Sequence, residues 1–321
     1  MMMMCGLARS VMSIPRCADP GRARSQFRNA GLLSISPLSD VERAFAYFPH
    51  LKKICGDISD VRREAGLTNR VFRVACANGT YILRLPRAET AGAVDRVKEA
   101  HNHRIAAQLG IAPVPLYSDP NTGVQLSAAL PDEPLDARSL AEKLGAVLTR
   151  LHSVPKKFRW QLVPQEVIAG QQAYFSKKAD LAQRIAPLIE ALADTGALQS
   201  RPDDFAPCHG DLSPGNILYS AGKLVLIDWE YSGQCEPAWD LAYAALENDF
   251  EAADEKLLLD AYSGGTPPDS LVSRFREMKS VCDAVSASWA LAQVAAGRDP
   301  ATFLAFAQMR IDRAQERIGL V

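Results

Sequence analysis

The chain contains no window approaching the roughly 20 consecutive apolar residues that a bilayer-spanning helix needs, so no membrane partner is expected. Its seven cysteines, at 5, 17, 55, 76, 208, 235 and 282, are odd in number and never form Cys-x-x-Cys. That disfavours a disulfide framework and a zinc site and points to a reducing cytoplasm. Charge of one sign is missing too: 36 basic residues face 37 acidic ones, the formal net charge is −1, and no long basic run occurs. The electrostatic footprint of a nucleic-acid binder is therefore absent. No Gly-x-Gly-x-x-Gly, internal repeat or low-complexity block is found, and oligomeric state leaves no mark in the sequence. What remains is 321 residues at 48% apolar content, more than one hydrophobic core usually organises, which fits a two-lobed protein.

Residues 1–35 stand apart, with Arg9, Arg16, Arg22, Arg24 and Arg28 against the single acid Asp19. They read as a disordered or misassigned leader, an organellar transit peptide being the alternative. Residues 36–131 are expected to form an N-terminal nucleotide-binding lobe, and 132–321 a helical lobe carrying catalysis and the substrate.

The richest stretch is His209-Gly210-Asp211-Leu212-Ser213-Pro214-Gly215-Asn216, followed by Leu224-Val225-Leu226-Ile227-Asp228. An Asp, an Asn five positions on and a second Asp closing an apolar strand form the spacing of phosphoryl-transfer sites. Such chemistry asks a protein to position reactants and neutralise charge. Asp211, acceptor-only when ionised, would take a hydrogen bond from an attacking hydroxyl and act as base. Mg²⁺ demands hard oxygen ligands, which the Asn216 carbonyl and the Asp228 carboxylate supply, with Glu230 a candidate for a second ion. Between them Ile217–Ser220, Ala221-Gly222 and Lys223–Ile227 read as a β-hairpin with a two-residue turn, which brings Asn216 alongside Asp228.

Upstream, Ser39 and Glu42 make a capping box ahead of one helical run from Val41 to Ile54. Ile58–Ala65, Val71–Ala77 and Thr80–Leu85 read as antiparallel strands, the last two joined by an Asn78-Gly79 turn. Gly66-Leu67-Thr68-Asn69 lies where a nucleotide-covering loop belongs, so its amides and the Thr68 and Asn69 side chains are candidates to cradle phosphate. Arg84 on the third strand is placed to meet the α and β phosphates with its planar fork, held by Glu99 from a helix spanning Asp95 to Leu109. Val124–Leu130 followed by Pro131-Asp132-Glu133-Pro134 reads as the hinge between lobes, where adenine would dock on backbone groups of Ser127 to Leu130. From Asp136 the pattern turns helical, with Leu140, Leu144, Val147, Leu148 and Leu151 on one stripe and His152, given no role, at its end. Further helices are predicted around 170–197, 237–248, 252–262, 270–296 and 300–318.

These residues together, with Trp239-Asp240-Leu241-Ala242, resemble the choline/ethanolamine kinase family, its bacterial choline kinase branch, within the aminoglycoside phosphotransferase and protein-kinase-like superfamily. The resemblance covers residues 55 to 318. It implies an α+β bilobal protein-kinase-like fold: a small N-terminal antiparallel β-sheet lobe with one helix and a large, mainly helical C-terminal lobe. It also implies ATP and Mg²⁺ as cofactors and a small amino alcohol, choline or ethanolamine, as the molecule phosphorylated. By the same resemblance Asp211, Tyr231, Glu247, Trp289 and Phe306 line the substrate pocket, where aromatic faces and acids suit a quaternary ammonium. The family's second tryptophan, three residues before Trp289, is Ser286 here. Aminoglycoside, thiamine, homoserine and methylthioribose kinases are the neighbouring alternatives, and a catalytically silent kinase-fold binding module is the alternative of another class. A protein kinase is disfavoured because Asp228-Trp229-Glu230 replaces Asp-Phe-Gly and no Ala-Pro-Glu follows.

Overall fold

A computed structural model describes residues 36–66, 69–87 and 94–320; the expected leader, 1–35, lies outside them. The chain starts with two helices rather than one: α1 spans Pro37–Tyr47 and α2 spans Pro49–Cys55. The single run expected from Val41 to Ile54 breaks at Phe48 because Pro49 cannot donate a backbone N–H into a continuing helix. The N-cap is Ser36, whose Oγ accepts from Ser39 N, and not Ser39.

A five-stranded antiparallel sheet follows, in the order β1-β2-β3-β5-β4. Its strands are β1 (Ile58–Glu64), β2 (Asn69–Cys76), β3 (Gly79–Pro86), β4 (Tyr117–Asp119) and β5 (Val124–Ala128). The β2–β3 turn sits one residue earlier than expected: Ala77 and Asn78 form it, and Gly79 at φ +141° already pairs with Cys76. Between β3 and β4 runs α3 (Arg96–Gln108), started by Asp95, whose carboxylate accepts from Val97 N and Lys98 N. Among the described residues the small lobe thus carries α1, α2 and α3, the run expected from Val41 being split in two and the one expected from Asp95 forming as α3. Its core joins α1 and α2 to the sheet through Val41, Leu51, Phe72, Val74, Leu83 and Leu126, all essentially buried. Each such side chain removed from water contributes about 1.5–3 kcal/mol.

The rest is helical around a few short strands. The expected stripe forms α4 (Ala137–His152), capped by Asp136, with Leu144, Leu148 and Leu151 fully buried. The single helix expected around 170–197 is two, α5 (Pro164–Phe175) and α6 (Ala179–Asp194). Then come β6 (Ala206–Cys208), the hairpin β7 (Ile217–Ser220) and β8 (Lys223–Leu226), β9 (Gly233–Cys235), α7 (Pro237–Glu247), α8 (Ala252–Ser263), α9 (Asp269–Ala295) and α10 (Pro300–Ile318). Gly145 lets α4 approach α8 closely: a Cβ there would stand 2.5 Å from the Leu258 carbonyl oxygen. Long α9, buried from Ser280 to Gln293, packs on α5, α7 and α10 and organises the second core. Among the described residues, no helix is long and apolar enough to cross a membrane. A small antiparallel sheet lobe joined to a mainly helical one is the protein-kinase-like architecture expected.

Candidate active site

Strand β6 delivers the chain into the loop His209–Asn216, and the start of α7 holds that loop by its backbone. Asp240, in the first turn of α7 and fully buried, accepts from His209 N at 2.7 Å and Gly210 N at 2.9 Å. Trp239 Nε1 donates to the Gly210 carbonyl at 3.1 Å. Burial would lift Asp240, but its bonds from His152 and from these amides hold it below the usual carboxylate range. His152, given no role from sequence, is therefore a brace, sharing its ring between Asp240 and the Tyr262 hydroxyl. Gly210 sits at φ +87°, and a Cβ there would stand 2.6 Å from the Tyr231 carbonyl, so only glycine fits. His209 accepts from Asp211 N through Nδ1 at 3.2 Å and donates from Nε2 to the Ile227 carbonyl at 3.0 Å, which fixes the neutral tautomer. Burial depresses its basicity in the same direction.

Asn216 is oriented by donation from Nδ2 to both the carbonyl and Oδ2 of Asp211, each at 2.9 Å, which leaves its own carbonyl oxygen to face elsewhere. The predicted hairpin forms, with Ala221 at φ +50° and Gly222 at φ +78° in its turn, and Ile227 N bonds the Asn216 carbonyl at 2.9 Å. It thereby carries Asp228 back beside Asn216. Asp228 takes the left-handed conformation, φ +63° and ψ +72°, uncommon for a residue with a side chain and characteristic of functional positions. Asp211 Oδ1 and Asp228 Oδ1 are both buried without a hydrogen-bond partner. Burial, then the carboxylates Asp228, Glu247 and Glu230, push Asp211 well above the usual range. Burial and Glu230 push Asp228 up to about 8 against the pull of Arg84. Orphaned carboxylate oxygens whose ionisation is suppressed by like charge, joined by an amide oxygen, form a donor set suited to a hard divalent cation such as Mg²⁺.

On the small lobe, Arg84 Nη1 donates to Glu99 Oε1 and lies 3.5 Å from Asp228 Oδ1. Burial favours protonation of Glu99, but Arg84 and Arg96 outweigh it and hold the carboxyl down at about 2. The expected Arg84–Glu99 pair is therefore present and points at the metal-ligand candidate. Two other expected ligands are engaged elsewhere. Asn69 donates from Nδ2 to Glu230 Oε2 at 3.2 Å and accepts on Oδ1 from Arg96 Nη2 at 2.8 Å, so its amide ties strand to helix instead of lying open to a phosphate. Glu230 takes Arg96 Nη1 at 3.3 Å as well, and this pairing occupies the carboxylate expected to serve a second ion. Arg96, which also holds Glu99 at 2.8 Å, is the hub of this network, a role its sequence position did not assign it. Thr68 lies outside the described residues. Ser127 lies opposite Ile82 in the β3–β5 pairing, and Leu130 follows the last bond of that ladder, Ala129 N to Thr80 O.

Of the residues expected to line the acceptor pocket, Glu247, Trp289 and Phe306 lie on α7, α9 and α10. Tyr231 is buried under the catalytic loop, its backbone against Gly210. Glu247 ends α7, and its Oε1 lies 2.6 Å from Arg310 Nη2. Arg310 Nη1 also reaches Asp283 Oδ1 at 3.1 Å, and its guanidinium stands 4.7 Å over the Phe306 ring. Burial lifts the Glu247 carboxyl even against Arg310, whereas Arg310, shared by two carboxylates, is held charged. Trp289 meets Phe303 and Phe306 edge to face at 5.5 and 6.3 Å. Sequence offered no signal for Arg310, because its partners lie on other helices.

Two buried carboxylates beside an oriented amide, with a strand arginine paired to a helix glutamate in the small lobe, make the arrangement expected of a small-molecule phosphotransferase of the protein-kinase-like fold. The chain belongs to the phosphotransferase enzyme family, which matches residues 61–271. LicA of Haemophilus influenzae is 27% identical over 212 residues, 63% of this chain and 62% of that protein, so the match spans less than two thirds of this relative's length. A thiamine kinase of Escherichia coli O157:H7 is 28% identical over 221 residues, 67% of this chain and 74% of that protein. Among solved structures, a choline/ethanolamine kinase family protein from Mesorhizobium loti superposes with a TM-score of 0.70 at 28% identity, covering 88% of this chain and 95% of that one.

Proposed function

We propose that this protein transfers the γ-phosphoryl group of ATP to the hydroxyl of a small molecule, with Mg²⁺ as cofactor and Asp211 as the base. The observation that carries the reading is the junction of Asp211, Asn216 and Asp228: Asn216 fastened to Asp211 at 2.9 Å and Asp228 returned beside it by the hairpin, with Asp228 Oδ1 left without a hydrogen bond and only Arg84 near it. Asp211 receives the hydroxyl proton, and the acidic surroundings that raise its basicity favour that task. Arg84, kept charged and aimed by Glu99, meets the nucleotide phosphates, and the backbone from Ser127 to Leu130 takes the adenine. Asn216 and Asp228 hold the magnesium, which when bound neutralises charge on the transferred group. Asp240 and Trp239 keep the loop in register, so that Asp211 does not move as the acceptor enters.

Choline and ethanolamine are the acceptors named by the resemblance and supported by the similarity to a choline/ethanolamine kinase family protein, with thiamine supported by a second relative. Glu247 and Phe306, the residues expected to receive the ammonium group, are already engaged by Arg310, so the amino-alcohol reading stands on similarity. A cytoplasmic setting suits an ATP-using enzyme whose described cysteines are all free thiols. The test is a panel of alcohols with Mg-ATP, read by ADP release and by phosphoester formation. Phosphorylation of at least one alcohol, abolished by Asp211→Asn, is expected. ADP release that ignores every alcohol and survives Asp211→Asn would overturn the reading.

A further inference from the structure

The acceptor side of the site already contains a cation. Arg310 reaches Glu247 at 2.6 Å and Asp283 at 3.1 Å while its guanidinium covers the face of Phe306 at 4.7 Å. An acid and an aromatic face are the two walls that bind a quaternary ammonium, and here both are used by the protein's own side chain. Asp283 is further matched by Arg313 and Arg317. Three guanidiniums thus face two carboxylates, leaving this cluster with a surplus of positive charge.

The neighbouring sequence explains how the arginine fits. Ser286 lies on α9 three residues after Asp283 and three before Trp289, so the three share a helix face. Asp283 meets Arg310 and Trp289 meets Phe306, which turns that face toward α10. Ser286, between them and fully buried, presents only a small side chain on that face. The Ser286 hydroxyl and Arg310 Nε are buried without hydrogen-bond partners, and unmet donors favour an oxygen function on a ligand over methylated nitrogen. Asn248, next to Glu247, donates from Nδ2 to the carbonyl of Leu212, next to Asp211, at 3.1 Å, so the cluster adjoins the base.

We propose that Arg310 is a specificity-determining residue that fills the acidic and aromatic box with its own guanidinium. The enzyme thereby discriminates against alcohols bearing a quaternary ammonium and takes small alcohols whose second function is an oxygen acceptor. The proposal rests on the reading of Asp211 as the phosphoryl-transfer base. Its test reads binding rather than turnover, so the two can fail separately.

The test uses calorimetry on the full chain with Mg²⁺ and a non-hydrolysable ATP analogue. Three probes are compared: choline, its uncharged isostere 3,3-dimethylbutan-1-ol, and 4-hydroxybutanoate. The wild type is expected to bind 4-hydroxybutanoate most tightly and choline most weakly, about tenfold below its isostere. Arg310→Met uncovers Glu247 while Arg313 and Arg317 still neutralise Asp283, and should raise the choline-to-isostere affinity ratio by about tenfold or more. The charge-matched double variant Glu247→Gln/Arg310→Met should show no such rise, a separation that a merely structural role for Arg310 would not produce. A wild type that binds choline more tightly than its isostere, or a ratio that Arg310→Met leaves unmoved, overturns the proposal. Should Arg310→Met fail to fold, the wild-type ratio decides alone.

Discussion

Two buried ion networks flank Asp211, and they carry opposite charge balances. At the lobe junction Arg84 and Arg96 face Glu99, Asp228 and Glu230, two cations against three anions. On the acceptor side Arg310, Arg313 and Arg317 face Glu247 and Asp283, three cations against two anions. The first leaves Asp228 Oδ1 without a hydrogen bond and its ionisation suppressed, so it gains from an incoming cation. The second has a guanidinium to spare and no such need. Residue type alone does not separate these sites, since both are Arg, Asp and Glu. Only the count of charges within contact distance says which one invites a metal.

The largest expected effect removes the group between the networks. Asp211→Ala should lower turnover by about 10² to 10⁴-fold with little change in fold, as kcat and circular dichroism would report; near wild-type turnover would strip Asp211 of its role. Arg96→Met breaks the junction at its hub by removing the cation that Glu99 and Glu230 share, and losing one partner of a buried pair costs about 3–5 kcal/mol. Denaturant unfolding measures it, and a loss under about 1 kcal/mol would mean that the network is not held by Arg96. Gly210→Ala places a Cβ 2.6 Å from the Tyr231 carbonyl and should shift the catalytic loop. A displacement on that scale lowers kcat by up to about 10²-fold, and an unchanged kcat would show that the loop has slack.

A further effect is in pH. Asp228 is raised from near 4, its usual value, to about 8 in the fold. Between those values the folded chain keeps a proton that the unfolded chain has lost, so the metal-free protein loses stability as pH rises through this window and levels off above about pH 8. Melting temperatures in chelator should show wild type declining relative to Asp228→Asn across this range. Identical profiles for the two would contradict the burial and charge repulsion assigned to Asp228.

The site's local parts were legible in sequence, and its long-range parts were not. Asp211, Asn216 and Asp228 are joined by a short loop and a hairpin whose Ala221-Gly222 turn announces itself, so spacing sufficed. Arg84 and Glu99 could be paired because strand and helix are consecutive. Asn69 and Glu230, 161 residues apart, meet only through the packing of the lobes, and helical periodicity has nothing to say about their partner Arg96. For the same reason Glu247 read as an open pocket acid: Arg310 sits on the last helix, where a cation every few residues looks like solvated surface. The break at Phe48 is different, since Pro49 marks it in the sequence itself.

Calorimetry of an ATP analogue titrated into metal-free protein, with and without Mg²⁺, in wild type and Asp228→Asn, tests the central claim most directly. The account predicts uptake that requires the metal in wild type and loses most of that dependence in the variant. Equal nucleotide affinity with and without Mg²⁺ in wild type would contradict it.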